Sequence, residues 1–554
     1  MKSLRPFLVG SLLGLAFTTV AANDPLETGF LNPPDSAKPQ TWWHWMNGNI
    51  TKAGITADLE AMKQIGLGGA TIVNADCGIP RGPVEFMSPE WRDDFKFAIA
   101  EGNRLGLELT VENCAGWSSS GGPWNTPENA MQKVVASELA LTGPTNFSET
   151  LPLPPAKLDF YRDIAVLAYP VGAEPLLKIK NFGRKITMDI GGGVGQTEAL
   201  SDRDEIFNPA GAVPRREMID LTSKLTADGK LNWQVPAGKW MVLRFGYTPT
   251  GVKNHPAAYG GEGLECDKFS KAALDAHWAG FMQKVLDDIK PLGGQGLAGS
   301  LVDSYEVGGQ TWTKNFREEF KQRRGYDLLP YLPVFTDRVV DNPAVTERFL
   351  WDLRRTIADL FAENYFGHFT ELCHQHGLIS AVEPYTGPFD SMQSGASSDF
   401  VMGEFWSGSS GHPSVKLASS IAHVYGKTYV GAESFTASPG PHSGRWQEDP
   451  YSLKTLGDLM YCQGLNRYVF HRYAMQPWTN TFPGMTMGQW GFHFERTETW
   501  WHPGKAWIDY IAHCQYLLQQ GRAIRMSPIS PAKLRPWKCA RAIPRCPWAT
   551  IMTP

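Results

Sequence analysis

The chain has 554 residues, with 52 Lys and Arg against 56 Asp and Glu and a formal net charge of −4. This near balance argues against a nucleic-acid-binding protein, which normally carries a basic excess. Hydrophobic residues make up 42% of the chain, so a large core can form, and the length predicts about two to four domains of roughly 150 residues. The 20 Trp residues favour recognition of neutral ligands with apolar faces, of which sugars are the commonest.

Residues 1–22 are predicted to form a secretory signal peptide. Lys2 and Arg5 precede the apolar run 7–20, and small residues follow at a cleavage site. The run is too short to span a membrane as a helix, and no later stretch reaches about 18 consecutive apolar residues. We therefore expect a periplasmic or secreted protein of bacterial type that has no membrane contact after signal removal.

Residues 23–132 alternate short apolar runs with helical patterns. The strand-like runs are 41–45, 70–73 and 107–111. Helical spacing of apolar residues over 51–65, and Pro89 at the first position of a second helix, separate them. This alternation is typical of βα units and predicts a parallel sheet.

The alternation stops at residues 133–266. This region contains turn clusters such as 191–193 and short β-type runs such as 240–245, and it has no long amphipathic helix. We interpret it as an inserted β-rich domain that resembles a β-sandwich.

The βα pattern resumes over residues 267–525. Five further strands are predicted at 297–303, 379–383, around 401–404, 429–433 and 467–470. Three strands before the insertion and five after it predict a (β/α)₈ barrel of the TIM type. The strand near 401 is the least clear, because no evident helix separates it from the preceding strand.

Residues 526–554 differ from the rest of the chain. They contain six prolines and no acidic residue. A solvated linker normally carries acids, so we interpret this tail as the product of a truncated or frame-shifted coding sequence, with a Pro-rich extension as the alternative.

Carboxylates recur where the predicted barrel strands end. They are Asp76, Glu112, Asp303, Glu306, Glu383, Glu404 and Glu433, from six strands. A single acid in such a place is more often a structural ion-pair partner, but several acids at the rim where TIM-barrel active sites lie indicate function. Crowded carboxylates repel one another, so we expect raised pKa values or a bound cation.

Glycoside hydrolysis requires two carboxyl groups. One protonates the leaving oxygen, and the other activates water or attacks the sugar directly. Strands four and seven lie on roughly opposite sides of an eight-stranded barrel, so Glu306 and Glu433 are the predicted catalytic pair. The placement is an analogy with other barrel glycosidases.

Aromatic residues accompany the acids and can stack on the C–H faces of a sugar, while acids take its hydroxyls. For these aromatic residues, burial in an apolar core is an equally good interpretation. The predicted substrate-binding residues are Trp43, His44, Glu112, Trp117, Tyr305, Glu383 and Trp406.

Carboxylate oxygens also suit Ca²⁺, whereas no HExxH motif or histidine triad indicates zinc. No EF-hand loop is present, so a calcium site would be assembled from several strands. The predicted ligands are Asp303 and Glu404.

Several runs together resemble glycoside hydrolase family 106, the bacterial α-L-rhamnosidases. These runs are residues 41–48 (TWWHWMNG), 111–117 (VENCAGW), 303–306 (DSYE), 402–406 (MGEFW) and 431–434 (GAES). The resemblance covers about residues 28–525. It implies an inverting, calcium-dependent exo-enzyme that removes rhamnose from plant polysaccharides or glycosides, with Glu306 as general acid and Glu433 as general base.

Two other functions remain open. A retaining barrel glycosidase of another sugar specificity would use Glu433 as the nucleophile. A truncated barrel that binds sugar without turnover is the second alternative, because the members of this family are longer and carry further β-rich domains after the barrel.

Overall fold

A computed structural model describes residues 24–186 and 211–521, apart from residues 119, 295, 409–413 and 442. The predicted signal peptide and the tail from residue 526 lie outside the described residues.

Eight parallel strands close into a barrel, which confirms the predicted (β/α)₈ class. Each strand pairs with its neighbour in the chain, and the last strand pairs with the first. The strands are β1 (Gln40–Met46), β2 (Gly69–Ala75), β3 (Glu108–Ala115), β4 (Gly299–Val302), β5 (Ile379–Val382), β6 (Phe400–Trp406), β7 (Val430–Thr436) and β8 (Arg467–Ala474).

The described helices precede, connect and follow the strands. Their bounds are Pro25–Leu31, Lys52–Ile65, Pro89–Leu105, Phe182–Ile186, Lys271–Gly280, Met282–Ile289, Phe316–Arg324, Pro343–Leu360, His368–Gln375, Ser391–Ser394, Val415–Tyr425, Pro450–Cys462 and Lys505–Leu518. The helix between β5 and β6, Ser391–Ser394, has a single turn, which explains why the sequence shows no clear helix between these two strands. A π-helical segment, Phe361–Gly367, joins the two halves of the long helix before β5.

The helix ends follow from local chemistry. The helix Lys52–Ile65 begins after Thr51, whose side chain accepts a hydrogen bond from the Gly54 amide. It ends at Gly66, where a φ of 105° is accessible to a residue without Cβ. Asp449 and Ser452 form a reciprocal capping box at the start of Pro450–Cys462.

The insertion between β3 and β4 is β-rich, as predicted, and its main sheet packs on two separate cores. Four antiparallel strands lie in the order Gln132–Thr150, Lys230–Pro249, Arg162–Pro170 and Ile219–Asp220. The side chains of the third strand alternate between two cores. Leu167 and Tyr169 join the main core of the barrel, whereas Val166 and Ala168 join a cluster of the insertion itself. The barrel thus supplies the second layer that covers this sheet.

Side chains alternate in the same way along the barrel strands, and this alternation defines the barrel interior. An apolar layer inside the barrel contains Trp42, Val73, Leu301, Ala381, Phe400, Met402 and Val469. Residues one position away, such as Trp43 and Phe470, belong to the core between strands and helices. The residues two positions beyond the apolar layer therefore point inward at the C-terminal end of the barrel.

Asp58 joins the first βα unit to the last strand. Its fully buried carboxylate accepts hydrogen bonds from Trp43 Nε1 (3.1 Å), Tyr473 OH (3.0 Å) and the Gln476 amide (2.9 Å). Arg496 Nε donates a fourth bond at 2.8 Å. Burial raises the pKa of Asp58 to about 6, against the opposing effect of the Arg496 charge.

Among the described helices, none is both long enough and apolar enough to cross a membrane.

We expect Asp58→Ala to lower the free energy of unfolding by about 3–5 kcal/mol, because it removes the acceptor of three buried donors and the charge partner of the partly buried Arg496. Denaturant titration followed by circular dichroism measures the change. The matched control is Asp509→Ala, which removes an exposed (i, i+4) pair with Lys505 and should cost less than about 1 kcal/mol. Equal effects of the two variants would contradict the role given to Asp58.

Candidate active site

Seven ionisable residues lie at inward-facing positions near the C-terminal end of the barrel, five of them two residues beyond a member of the apolar layer. They are His44 on β1, Glu112 on β3, Asp303 after β4, Glu383 after β5, Glu404 on β6, Glu433 on β7 and His471 on β8. Alternation along eight converging strands thus brings acids that are far apart in the sequence to one end of the barrel.

Three of these carboxylates form a compact buried group. Asp303, Glu383 and Glu433 each offer an oxygen, and the three oxygens lie within 4.8 Å of one another. Tyr385 OH donates to Glu383, and Thr436 Oγ1 donates to Glu433. Asp303 Oδ2 and Glu383 Oε1 are buried and have no hydrogen-bond partner among the described residues.

The carboxylates of this group are held toward their neutral forms. Burial raises the pKa of Glu383 and of Glu433 well above the usual range, and the charges of the neighbouring acids add to the shift. Burial also raises the pKa of Asp303, against the hydrogen bond from the Ser304 amide (2.5 Å). Several negative charges in one low-dielectric place are unfavourable, so either protons or a cation must neutralise part of them.

Glu306 differs from the buried acids because its side chain is exposed. Trp117 Nε1 donates to one carboxylate oxygen at 3.1 Å, and Ser304 Oγ donates to the other at 3.1 Å. The charge of Glu306 nevertheless contributes to the raised pKa of Glu433. The two predicted catalytic carboxyls thus lie at the same end of the barrel and interact electrostatically, one exposed and one buried.

Two histidines border Glu433. His471 Nδ1 lies 3.4 Å from Glu433 Oε1, and the ring of His471 meets the ring of His44 edge to face at 5.3 Å. Burial lowers the pKa of His44 to about 3 and that of His471 well below its usual value, so both are neutral. Both ring nitrogens of His44 lack a hydrogen-bond partner in the part of the chain that the structure describes. They are therefore available to a polar ligand.

Glu404 and Glu112 flank the carboxylate group. Trp406 Nε1 donates to Glu404, and the Trp406 ring meets the Trp490 ring edge to face at 5.8 Å. Burial raises the pKa of Glu404. Glu112 is fully buried, and neither of its carboxylate oxygens has a hydrogen-bond partner within the described ranges. Burial raises its pKa well above the usual range, and the charge of Asp303 adds to the effect.

Two predicted substrate-binding aromatics lie away from this group. Trp43 faces the helices and donates its indole N–H to Asp58, because it is one position out of phase with the inward-facing Trp42 and His44. Tyr305 is buried, packs edge to face on Phe361 and donates its hydroxyl to the Gly308 carbonyl at 2.7 Å. Both match the alternative interpretation as core residues.

The structure adds His471 and Thr436 to the residues around Glu433. The predicted strand 467–470 ends one residue before His471, and the observed strand continues to Ala474, so its period of two places His471 inward together with Val469. That signal was available in the sequence once the phase of the strand was known. Thr436 gives no such signal, since it reaches Glu433 through the local backbone geometry at the end of β7.

The arrangement provides the groups that acid–base chemistry on a sugar requires. The exposed Glu306 is accessible to a leaving group, and Glu433 lies deeper with neighbours that raise its basicity. Protonated acids and neutral histidines can donate to sugar hydroxyls, and the unpartnered carboxylate oxygens can bind a hard cation.

Comparisons with known proteins identify related glycosidases. The sequence model of glycoside hydrolase family 106, described as alpha-L-rhamnosidase, matches residues 31–188 and 159–525. The structure of a rhamnosidase from Novosphingobium sp. PP1Y superposes with a TM-score of 0.79 at 31% identity and covers 90% of this chain. A Formosa agariphila protein named "Putative beta-glucuronidase" is 49% identical over 502 residues, which are 90% of this chain.

The chain spans 42% of the length of the Formosa protein and 61% of that of the Novosphingobium rhamnosidase. The matches of the family model and the resemblance to the rhamnosidase extend over the barrel and the insertion. The chain therefore belongs to glycoside hydrolase family 106.

Proposed function

We propose that this protein hydrolyses terminal α-L-rhamnosides of plant polysaccharides or glycosides. The observation that carries the proposal is the pairing of an exposed carboxyl, Glu306, with a buried carboxyl, Glu433, at the end of the barrel where such enzymes place their active sites. We also propose that the protein is exported, on the basis of the N-terminal sequence.

Glu306 would act as the general acid. Its exposure leaves it accessible to the oxygen of the leaving group, and the bonds from Trp117 and Ser304 limit its orientation. Glu433 would act as the general base toward a water molecule. Its raised pKa makes its ionised form a stronger proton acceptor, a bound cation would favour that ionised form, and the hydrogen bond from Thr436 orients its carboxylate. Inversion requires room for that water between the two carboxyls.

A calcium ion would fit beside Glu433. Asp303 Oδ2 and Glu383 Oε1 are buried carboxylate oxygens without partners among the described residues, and oxygen ligands of this kind suit Ca²⁺. When bound, the ion would neutralise part of the acid cluster and orient sugar hydroxyls. Of the two predicted ligands, Asp303 belongs to the compact group, whereas Glu404 is hydrogen-bonded to Trp406.

A neutral sugar suits this site better than a uronic acid. A substrate carboxylate would add another negative charge to a group of acids that already repel one another. This argument favours the rhamnosidase activity over the glucuronidase activity named for the Formosa relative.

Replacement of the two carboxyls tests their roles separately. We expect Glu306→Gln to reduce kcat/KM for phenyl α-L-rhamnoside by about 10²–10⁴-fold but to spare 2,4-dinitrophenyl α-L-rhamnoside, whose leaving group needs no proton. Glu433→Gln should impair both substrates. Glu318→Gln, an exposed glutamate on an outer helix, serves as the control. Similar losses on both substrates in Glu306→Gln would contradict its assignment as the acid.

The stereochemistry of the first product distinguishes the two glycosidase mechanisms. We expect proton NMR during hydrolysis to show the β-anomer of L-rhamnose first, since Glu433 activates water rather than attacking the sugar. Initial release of the α-anomer would assign Glu433 as a nucleophile and support the retaining alternative.

Calcium should stabilise the protein more at pH 7.5 than at pH 5. The folded-state pKa values of Asp303 and Glu383 lie above their unfolded values, so their contribution to stability decreases as pH rises and the buried protons are lost. Calcium replaces those protons, and its stabilising effect therefore grows with pH. Thermal unfolding with calcium or with chelator measures this difference, with Asp303→Asn compared against Asp509→Asn. A calcium effect that is equal at both pH values, or that persists in Asp303→Asn, would contradict the assigned site.

A further inference from the structure

The chain returns from the insertion to the barrel through residues Glu265–Lys268, which we call the return segment. It begins within a short antiparallel pairing of Leu264–Glu265 with Gly121–Gly122. The four side chains of the return segment are all buried. Two of its residues, Glu265 and Lys268, form an ion pair that is fully shielded from solvent, with 2.6 Å between Nζ and Oε2. Fully buried charges normally have hydrogen-bonding partners, and the partners of the return segment belong to two loops near Glu306.

One set of partners belongs to the loop after β3. Glu265 Oε1 accepts a bond from Ser118 Oγ at 2.8 Å, and Glu265 Oε2 accepts one from the Ser120 amide at 2.9 Å. The Cys266 amide donates to the Ser120 carbonyl at 3.0 Å. Burial alone would raise the pKa of Glu265, but the charge of Lys268 and these bonds hold it below the usual range. The pair is therefore ionised, and it fixes the loop that carries Trp117.

A second set of partners belongs to the loop after β4. Asp267 accepts hydrogen bonds from Gln310 Nε2 and from Thr313 Oγ1, the latter at 2.6 Å. The Lys268 amide donates to Gln310 Oε1 at 3.1 Å. These bonds fix the loop that carries Glu306.

The two loops meet at Glu306. The Glu306 amide donates to the Ser118 carbonyl at 3.1 Å, and Trp117 Nε1 donates to the Glu306 carboxylate at 3.1 Å. Ser118 thus bonds to Glu265 through its hydroxyl and to Glu306 through its carbonyl. The return segment therefore contacts both loops that meet at Glu306.

We propose that the return segment is a positioning element for Glu306, in which Glu265 acts through Ser118 and Asp267 acts through Gln310 and Thr313. This inference rests on the proposed function of Glu306 as the acid. It assigns the insertion a role in catalysis, because the end of the insertion sets the geometry of an exposed side chain that has few contacts of its own.

The physical reason is that proton transfer depends steeply on geometry. An exposed glutamate has rotational freedom, and displacement by about 1 Å can reduce the rate about 10²-fold. A substrate that needs no protonation of its leaving group is insensitive to this displacement. A variant that only misplaces the acid should therefore lose activity on the substrate that needs protonation and keep it on the other. A general loss of structure should reduce activity on both substrates.

The test uses two mild variants and a matched control for each. Ser118→Ala removes the hydrogen bond that Ser118 Oγ donates to Glu265 and the one that it accepts from the His255 amide. Asp267→Asn replaces an acceptor oxygen by a donor. The controls are Ser137→Ala and Asp163→Asn, which break a serine bond to the Pro152 carbonyl and an ion pair with Arg244 in the inserted sheet. Thermal unfolding confirms that each variant is folded, and if Asp267→Asn does not fold, Ser118→Ala alone decides the test.

With phenyl α-L-rhamnoside we expect kcat/KM to fall about tenfold in Ser118→Ala and Asp267→Asn. With 2,4-dinitrophenyl α-L-rhamnoside it should change less than about twofold, and both controls should match the wild type. An equal loss on both substrates, or no loss, would overturn the proposal.

Hydrogen–deuterium exchange tests the same proposal without any activity. We expect the peptide containing the Glu306 amide to exchange faster in Ser118→Ala and Asp267→Asn than in the wild type, with no change in the controls. Unchanged exchange would overturn the proposal even in an active enzyme. A wild type that hydrolyses neither rhamnoside would instead refute the proposed function, and the exchange data would then decide whether the return segment holds the Glu306 loop.

Discussion

Repulsion between buried carboxylates is the constraint on which the site depends. The barrel brings Asp303, Glu383 and Glu433 within 4.8 Å of one another, and burial prevents water from screening their charges. The folded chain must therefore retain protons on these groups or bind a cation. The same crowding raises the basicity of Glu433, so the electrostatic cost of the cluster and the proposed chemistry have one origin.

Glu306, in contrast to the buried acids, lies at the surface of the barrel mouth. In the proposed mechanism Glu306 meets a leaving group at the mouth of the barrel, and its side chain is exposed rather than held by a packed core. Its position is instead set by hydrogen bonds from Trp117 and to Ser118, and these loops are in turn held by buried charges of the return segment. The barrel covers one face of the sheet of the insertion. The end of the insertion, in turn, contacts the loops around Glu306.

Much of the fold could be predicted because periodicity is a local property. The (β/α)₈ class and the β-rich insertion followed from the change between helical and strand patterns. What covers the faces of the inserted sheet could not be predicted in this way, because nothing in the sequence of the insertion shows that the barrel covers one of them. The prediction for Trp43 met a related difficulty. The three tryptophans of β1 do not show by themselves which of them point inward.

The sequence by itself determined the barrel, the strand ends that carry acids and the family motifs around Glu306 and Glu433. Only the tertiary structure decided which acids form the compact group, that Glu383 belongs to it while Glu404 is bonded to Trp406, and that His471 borders Glu433. The phase and register of closed strands set those distances. Phase and register depend on contacts between residues hundreds of positions apart, which no local pattern records.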